Sequence, residues 1–155
     1  MADNQSVLSV SIVTPDGQVY NEQGDLLIVT TKSGQLGIMP NHVPVIASLE
    51  VEEARIKRGE NEDEIAVNGG FLEFSGNVAT IVADSAERQD DIDVNRAENA
   101  RERAEATIKK AQEAHDADTL ARAEVALRRA VNRINVAKHL SLIHISEPTR
   151  LDVMA

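Results

Sequence analysis

Glu64-Ile65-Ala66-Val67-Asn68-Gly69-Gly70-Phe71-Leu72-Glu73-Phe74-Ser75-Gly76-Asn77-Val78-Ala79-Thr80-Ile81-Val82-Ala83 decides the class of the first half of the chain. Three short runs, Glu64–Val67, Phe71–Phe74 and Val78–Ala83, are divided by Asn68-Gly69-Gly70 and Ser75-Gly76-Asn77. Gly and Asn supply the positive φ that tight turns need, so each divider reads as a turn and each run as a strand. Towards the N-terminus the pattern repeats. Leu8, Val10 and Ile12 alternate with Ser9 and Ser11, Pro15-Asp16-Gly17 is a turn, and Asp25–Thr31 reads as a buried strand. Gln35–Met39, Val45–Leu49 and Ala54–Arg58 follow, and Gly59–Asp63 reads as a charged hairpin loop. Nine or ten strands in under ninety residues imply an antiparallel sandwich or flattened barrel. No stretch here carries a helical period, which disfavours a βαβ nucleotide fold.

Beyond the sandwich the composition changes. All eight Gly lie between Gly17 and Gly76, whereas Ala97–Ala137 has neither Gly nor Pro and contains twelve Ala. Residues 1–90 carry 5 Lys/Arg against 15 Asp/Glu, and residues 91–155 carry 11 of each, which accounts for the net charge of −10. The two modules divide near Arg88–Asp91, giving a sandwich over residues 1–88 and a helical module over 89–139. Asp90 or Asp91 is placed to cap a first helix. Ala97, Ala100, Ala104, Ile108 and Ala111 recur at steps of three and four, His115-Asp116-Ala117-Asp118 interrupts them, and Leu120, Ala123, Leu127, Ala130 and Ile134 resume. That is the seam of an antiparallel pair. Ala burial stabilises far less than the ~1.5–3 kcal/mol of a large aliphatic side chain, so the hairpin is marginal alone and reads as a movable element.

Several function classes drop out. An acidic chain with pI near 4.8 is a poor match for a phosphate backbone, so no nucleic-acid partner is expected. With no Cys there is no disulfide framework, thiolate metal site or Cys nucleophile. Leu26-Leu27-Ile28-Val29 is the longest apolar run, far short of a bilayer span, and Met1–Ser6 carries no signal-peptide features. His42, His115, His139 and His144 make no ligand spacing, so no metal site is expected. His42, between Pro40-Asn41 and Val43-Pro44, reads as part of a stiff turn rather than a ligand or base. Asp84 and Glu87 could form an acid–base pair, which would make the chain an enzyme. A solvated acidic edge is the plainer reading, and no nucleophile triad, Walker loop or HExxH accompanies them, so no catalytic residue is assigned.

Asp93, Arg96 and Ala97 fall on one helix face, and Arg129 and Arg133 are spaced i, i+4 on the other helix. In a hairpin turning near His115, Arg133 faces Ala97 and Arg129 faces Arg101. Three arginines could then meet one polyphosphate, with Asp93 or Glu87 accepting from a purine amine or ribose. Ordinary helix-surface ion pairing accounts for the same spacing, so the residues alone leave both readings open.

Thr14-Pro15, Gly34-Gln35-Leu36-Gly37-Ile38-Met39-Pro40-Asn41-His42-Val43-Pro44, Val67-Asn68-Gly69-Gly70-Phe71-Leu72-Glu73 and Val82-Ala83-Asp84-Ser85-Ala86-Glu87, followed by two Ala-rich helices, closely resemble the epsilon subunit of bacterial F-type ATP synthases. The resemblance runs from about residue 6 to residue 139. It implies a ten-stranded β-sandwich followed by a two-helix hairpin. It also implies a non-catalytic rotor subunit on the cytoplasmic face of the bacterial membrane, touching the membrane only through its complex. The implied partners are the gamma subunit, the ring of c subunits and, transiently, the alpha and beta subunits. The helices would regulate ATP hydrolysis, their basic second half meeting acidic segments of beta when extended. The segment holding Gly34, Gly37, Pro40, Asn41, His42 and Pro44 would face the c ring. An Ile-Asp-x-x-Arg-Ala motif with an earlier Glu and two Arg on the second helix maps onto Ile92, Asp93, Arg96, Ala97, Glu87, Arg129 and Arg133, implying ATP as a regulatory ligand with no cofactor required. A free-standing ATP-sensing module with a helical lid is the alternative of a different class.

Residues 140–155 depart from this pattern. Leu140-Ser141-Leu142-Ile143-His144-Ile145-Ser146-Glu147-Pro148-Thr149-Arg150 looks like the in-frame translation of a sequencing-library transposase adapter, and Pro148 is expected to end any helix.

Overall fold

A computed structural model describes the backbone of residues 7–154 and the side chains of residues 7–138. Eight strands come first: β1 (Leu8–Thr14), β2 (Gly17–Gly24), β3 (Leu26–Thr31), β4 (Gly34–Ile38), β5 (Val45–Arg58), β6 (Asn61–Ser75), β7 (Val78–Ala83) and β8 (Ala86–Arg88). A 3₁₀ turn over Gln89–Asp91 leads to α1 (Val94–Ala114) and α2 (Ala117–Met154). Two compact units result, residues 1–91 and 92–155.

The strand order is β2-β1-β7-β6-β5-β3-β4, with β8 added to β6. The count of eight replaces the expected nine or ten for a simple reason: β5 and β6 are each one long strand serving both layers. Val45–Leu49 pairs with Gly70–Phe74, and Val51–Arg58 pairs with Asn61–Asn68. β7 joins only the Gly70–Ser75 half of β6, and β8 joins only Ile65–Val67. Counting both halves restores ten strands in two layers. The chain turns the corner of β6 at Gly69 and Gly70, both at positive φ. Gly70 admits no side chain, since a Cβ there would lie 2.1 Å from the Val82 carbonyl oxygen. The pairing is antiparallel except between β1 and β7, which run parallel from Ser9↔Val78 to Val13↔Val82. This corrects the all-antiparallel expectation. The long connection through the second layer returns β7 to β1 in the same direction, a relation no local signal encodes.

Alternation along β1 holds as read: Leu8, Val10 and Ile12 are fully buried. They pack with Tyr20, Leu27, Ile38, Ile56, Leu72, Phe74 and Ile81 in one core. At one side of it the Tyr20 hydroxyl donates to Asp63 Oδ2 at 2.6 Å, and Arg58 Nε donates to the same oxygen at 2.8 Å. Arg88 lies over the Tyr20 ring at 5.0 Å, and its Nε donates to the Val19 carbonyl at 2.9 Å. Burial pushes the Asp63 carboxyl up, but the hydrogen bonds from Arg58 and Tyr20 outweigh it and hold the group below the usual carboxylate range.

In the second unit Asp93, not Asp90 or Asp91, caps α1. Its carboxylate accepts the Arg96 amide at 3.1 Å, while Gln89–Asp91 is spent on the 3₁₀ turn. α1 ends at His115, at φ 55°, with the Asp116 amide returning to the Ala111 carbonyl at 2.9 Å. Asp116 then opens α2, its carboxylate accepting from the Thr119 hydroxyl at 2.7 Å and amide at 3.2 Å. These bonds hold its carboxyl below the ordinary range. The seam is as thin as expected: Ala97, Ala104 and Ala111 of α1 are buried, with Ala123, Ala130 and Ile134 of α2. The backbone of α2 continues through Pro148, where the sequence reading ends it. The φ that proline imposes is itself helical, so the ring removes one hydrogen bond without excluding the conformation. The side chains of the adapter-like segment lie outside the described residues. Among the described residues, no helix is long and apolar enough to cross a membrane.

Candidate functional site

Two surfaces carry the candidate residues, one in each unit. In the sandwich, the segment from Gly34 to Pro44 is not a single loop. Gly34 opens β4 at the β3–β4 turn and Gly37 lies within the strand, so only Pro40, Asn41, His42 and Pro44 belong to the loop that follows. With four residue steps of about 3.3 Å, Gly34 sits about 13 Å from Ile38 along the strand.

That loop is braced rather than free. The Asn41 amide donates to Asn77 Oδ1 at 2.6 Å, and Asn77 Nδ2 returns a bond to Asn41 Oδ1 at 3.3 Å. Both asparagines hold positive φ, 72° and 61°, which Asn tolerates better than most residues. The bonds tie the β4–β5 loop to the β6–β7 turn. His42 Nδ1 lies 2.7 Å from the Val43 carbonyl, and its ring meets Phe74 edge-on with centroids 6.0 Å apart. This is the structural role read from the sequence. Met39 and Val43, flanking it, are 61% and 69% exposed. No cluster of groups able to hold a metal ion occurs among the described residues.

A second feature of the sandwich escaped the sequence reading. Ile46, Phe71, Val78 and Val82 are exposed on the outer face of the β5–β6–β7 layer. Phe71 pairs with Val82 across β6 and β7, and Val82 with Val13 across β7 and β1, so three apolar side chains stand abreast. The signal was present. Val78–Ala83 sets two valines on its outer face beside Thr80, whereas a strand with a fully solvated outer face alternates with polar residues throughout. Asp84 is exposed and its carboxylate sits beside Gly69, with no second carboxylate within bonding distance among the described contacts.

In the hairpin, Glu98 of α1 and Lys138 of α2 meet at 3.5 Å, and Ala100, Ala104, Ala123 and Ala126 line one groove of about 470 Å³. The Glu98–Lys138 contact sets α1 and α2 side by side as an antiparallel pair, the arrangement expected of the hairpin. Ile92, Asp93, Arg96 and Ala97 lie at or just before the start of α1, and Arg129 and Arg133 lie in α2. Arg96 and Arg129 are exposed, Arg133 is half-buried, and Ile92 and Ala97 are buried. Asp93 uses Oδ1 on the α1 cap. Glu87 belongs to the other unit, on β8, with Oε1 buried. The groove itself lies nearer the interhelical turn and is lined by Arg103, Thr107, Thr119 and Arg122 beside the alanines, and neither Arg96, Arg129 nor Arg133 lines it. Lys138 belongs to the basic second half of α2 read from the sequence, but its contact with Glu98 is not legible there, because it joins residues forty positions apart.

The sequence pattern of the ATP synthase delta/epsilon chain β-sandwich domain matches residues 7–89, and that of the delta/epsilon chain long α-helix domain matches residues 90–138. The chain is 67% identical over 140 residues to the ATP synthase epsilon chain of Pediococcus pentosaceus, covering 90% of this chain and 100% of that one. It is 55% identical over 143 residues to the ATP synthase epsilon chain of Latilactobacillus sakei, covering 90% and 99%. A chain in the structure of the Euglena gracilis mitochondrial ATP synthase, comprising OSCP, F1 and c-ring, shares the fold with a TM-score of 0.70 at 18% identity, covering 88% of this chain and 82% of that one.

Proposed function

This chain belongs to the ATP synthase delta/epsilon chain family, as an epsilon-type member, and from that premise we propose how its two units divide the work of a rotor subunit. The sandwich is the structural coupling. Its apolar outer strip, Ile46, Phe71 and Val82, docks on the gamma subunit, and the braced loop of Pro40, Asn41, His42 and Pro44, with Met39 and Val43 at its surface, rests on the c ring. The exposure of Phe71 (58%) beside Val82 (53%) carries this reading. Adjacent large apolar side chains in water are a liability unless a partner covers them.

The hairpin is the regulatory part. It carries no catalytic residue, and ATP acts on it as a ligand. Arg96, Arg129 and Arg133 receive the phosphates, Ile92 and Ala97 shape the apolar side, and Asp93 accepts from the purine or ribose. A ligand that binds only the folded hairpin shifts the population towards it, in proportion to its differential affinity. The same basic stretch of α2 meets acidic segments of beta when the helices extend, so the two uses compete. The subunit sits peripherally on the cytoplasmic side, held by its complex.

Co-purification tests the assembly. A tagged chain expressed in its own host is expected to bring down gamma and c in stoichiometric amounts. Phe71→Thr with Val82→Thr is expected to lose gamma while remaining folded, since both side chains are exposed and Thr suits a strand. Recovery of the unaltered chain alone would sink the rotor reading, and full retention by the double variant would remove the strip from the interface.

A further inference from the structure

We propose that Glu98 is an internal clasp that favours the folded hairpin when no ligand is bound, by joining the start of α1 to the stretch of α2 that faces it; the proposal rests on the reading of the hairpin as a switch. The Glu98 carboxylate is shared between two cations. Oε2 accepts from Arg101 Nη2 at 2.8 Å on its own helix, and Oε1 lies 3.5 Å from Lys138 Nζ on the other. Its side chain is 28% exposed, so water screens it only in part. Arg101 Nη2 fixes the rotamer of Glu98, which lowers the entropy lost when Lys138 joins.

Only contacts that exist in one state can bias an equilibrium between two. The turn at His115 and the Asp116–Thr119 bonds are local and survive if the helices part. The interhelical seam is lost on opening, but apart from Ile134 its buried apolar residues are alanines, whose burial contributes little. Glu98–Lys138 is likewise lost on opening, and it closes the end of the hairpin remote from the covalent turn, where the helices would separate first. On a weak apolar seam, one ion pair at that end is a material part of the bias. It also makes the bias depend on ionic strength, since the Debye length falls from about 10 Å at 0.1 M salt to about 3 Å at 1 M.

The chain has no Cys, so Asn99→Cys and Asn135→Cys place two spin labels on the full chain, one per helix and both at exposed positions. Interlabel distances across a urea series give a closed-to-open ratio that stays measurable whichever form dominates in water. Without ATP, Glu98→Gln is expected to lower that ratio about 1.5- to fivefold. Lys138→Gln is expected to lower it equally, and the double variant no further. Gln differs little from Glu and Lys in helix propensity, and at position 98 its amide oxygen can still accept from Arg101, so each helix alone changes little. Salt at 1 M is expected to bring the unaltered protein to the level of the variants and to leave the variants unmoved. Unchanged ratios in the single variants, or additive losses in the double, overturn the clasp. ATP added to the unaltered protein judges the switch separately. If ATP closes the hairpin while the Gln variants behave normally, the clasp alone fails. If the Gln variants open it and ATP moves nothing, the nucleotide reading fails and the clasp stands.

Discussion

Tyr20→Phe removes one hydroxyl from a ring that is 1% exposed, and leaves the shape of the core intact. The hydroxyl donates to Asp63 Oδ2 at 2.6 Å, an oxygen that also accepts from Arg58 Nε at 2.8 Å. A hydrogen bond to a charged group contributes about 1.5–3 kcal/mol. The Asp63 side chain is 27% exposed, so water replaces part of what is lost, and the lower half of that range, about 1.5–2 kcal/mol, is the expected cost. With a urea dependence of about 1–3 kcal/mol per molar, the midpoint should fall by about 0.5–2 M, read from the methyl resonances of the sandwich. The pH dependence is sharper. Asp63 is held below its ordinary value, so its contribution is complete above the unfolded value of about 3.9 and is lost as pH falls through the folded one. Tyr20 is pushed up, first by burial and then by its bond to Asp63, so its contribution is complete below about pH 10 and fades as pH rises through the folded value. The difference between the two proteins should therefore be full at pH 7 and shrink at both extremes. A loss that is the same at pH 7 as well below the Asp63 transition would refute a bond to an ionised carboxylate, and a loss under about 0.5 kcal/mol would show that water takes the hydroxyl's place.

Three other outcomes follow from the same geometry. Gly70→Ala should cost at least about 2 kcal/mol more than Gly17→Ala in urea unfolding. Both glycines hold φ near +120°, but only at Gly70 does the added carbon meet the β7 backbone; equal losses would mean that β7 moves aside. Arg96→Ala, Arg129→Ala and Arg133→Ala should each weaken ATP binding about ten- to a hundredfold by titration calorimetry without magnesium, while Lys110→Ala changes little; equal loss at Lys110 would remove the assignment. Residues 7–91 alone should unfold cooperatively on heating, because they hold nearly all the large buried aliphatics; a dye-binding, non-cooperative product would contradict the division into two units.

Much of the architecture follows from the sequence by itself, because its signals are short-ranged. Period-two alternation in Leu8–Ile12, turn residues at Pro15-Asp16-Gly17, and steps of three and four from Ala97 to Ala111 depend on neighbours within one or two turns of chain. The division of the modules, the antiparallel hairpin and its weak seam were legible for that reason. What only the tertiary structure decided are relations between distant residues. Asp93 rather than Asp90 caps α1, because the preceding acids are taken up in a 3₁₀ turn. β5 and β6 stay continuous through both layers, and β1 lies parallel to β7. The bonds Tyr20–Asp63, Asn41–Asn77 and Glu98–Lys138 span 43, 36 and 40 residues. Each needs two side chains whose separation in sequence carries no periodic trace, so the folded backbone is what brings them within bonding distance.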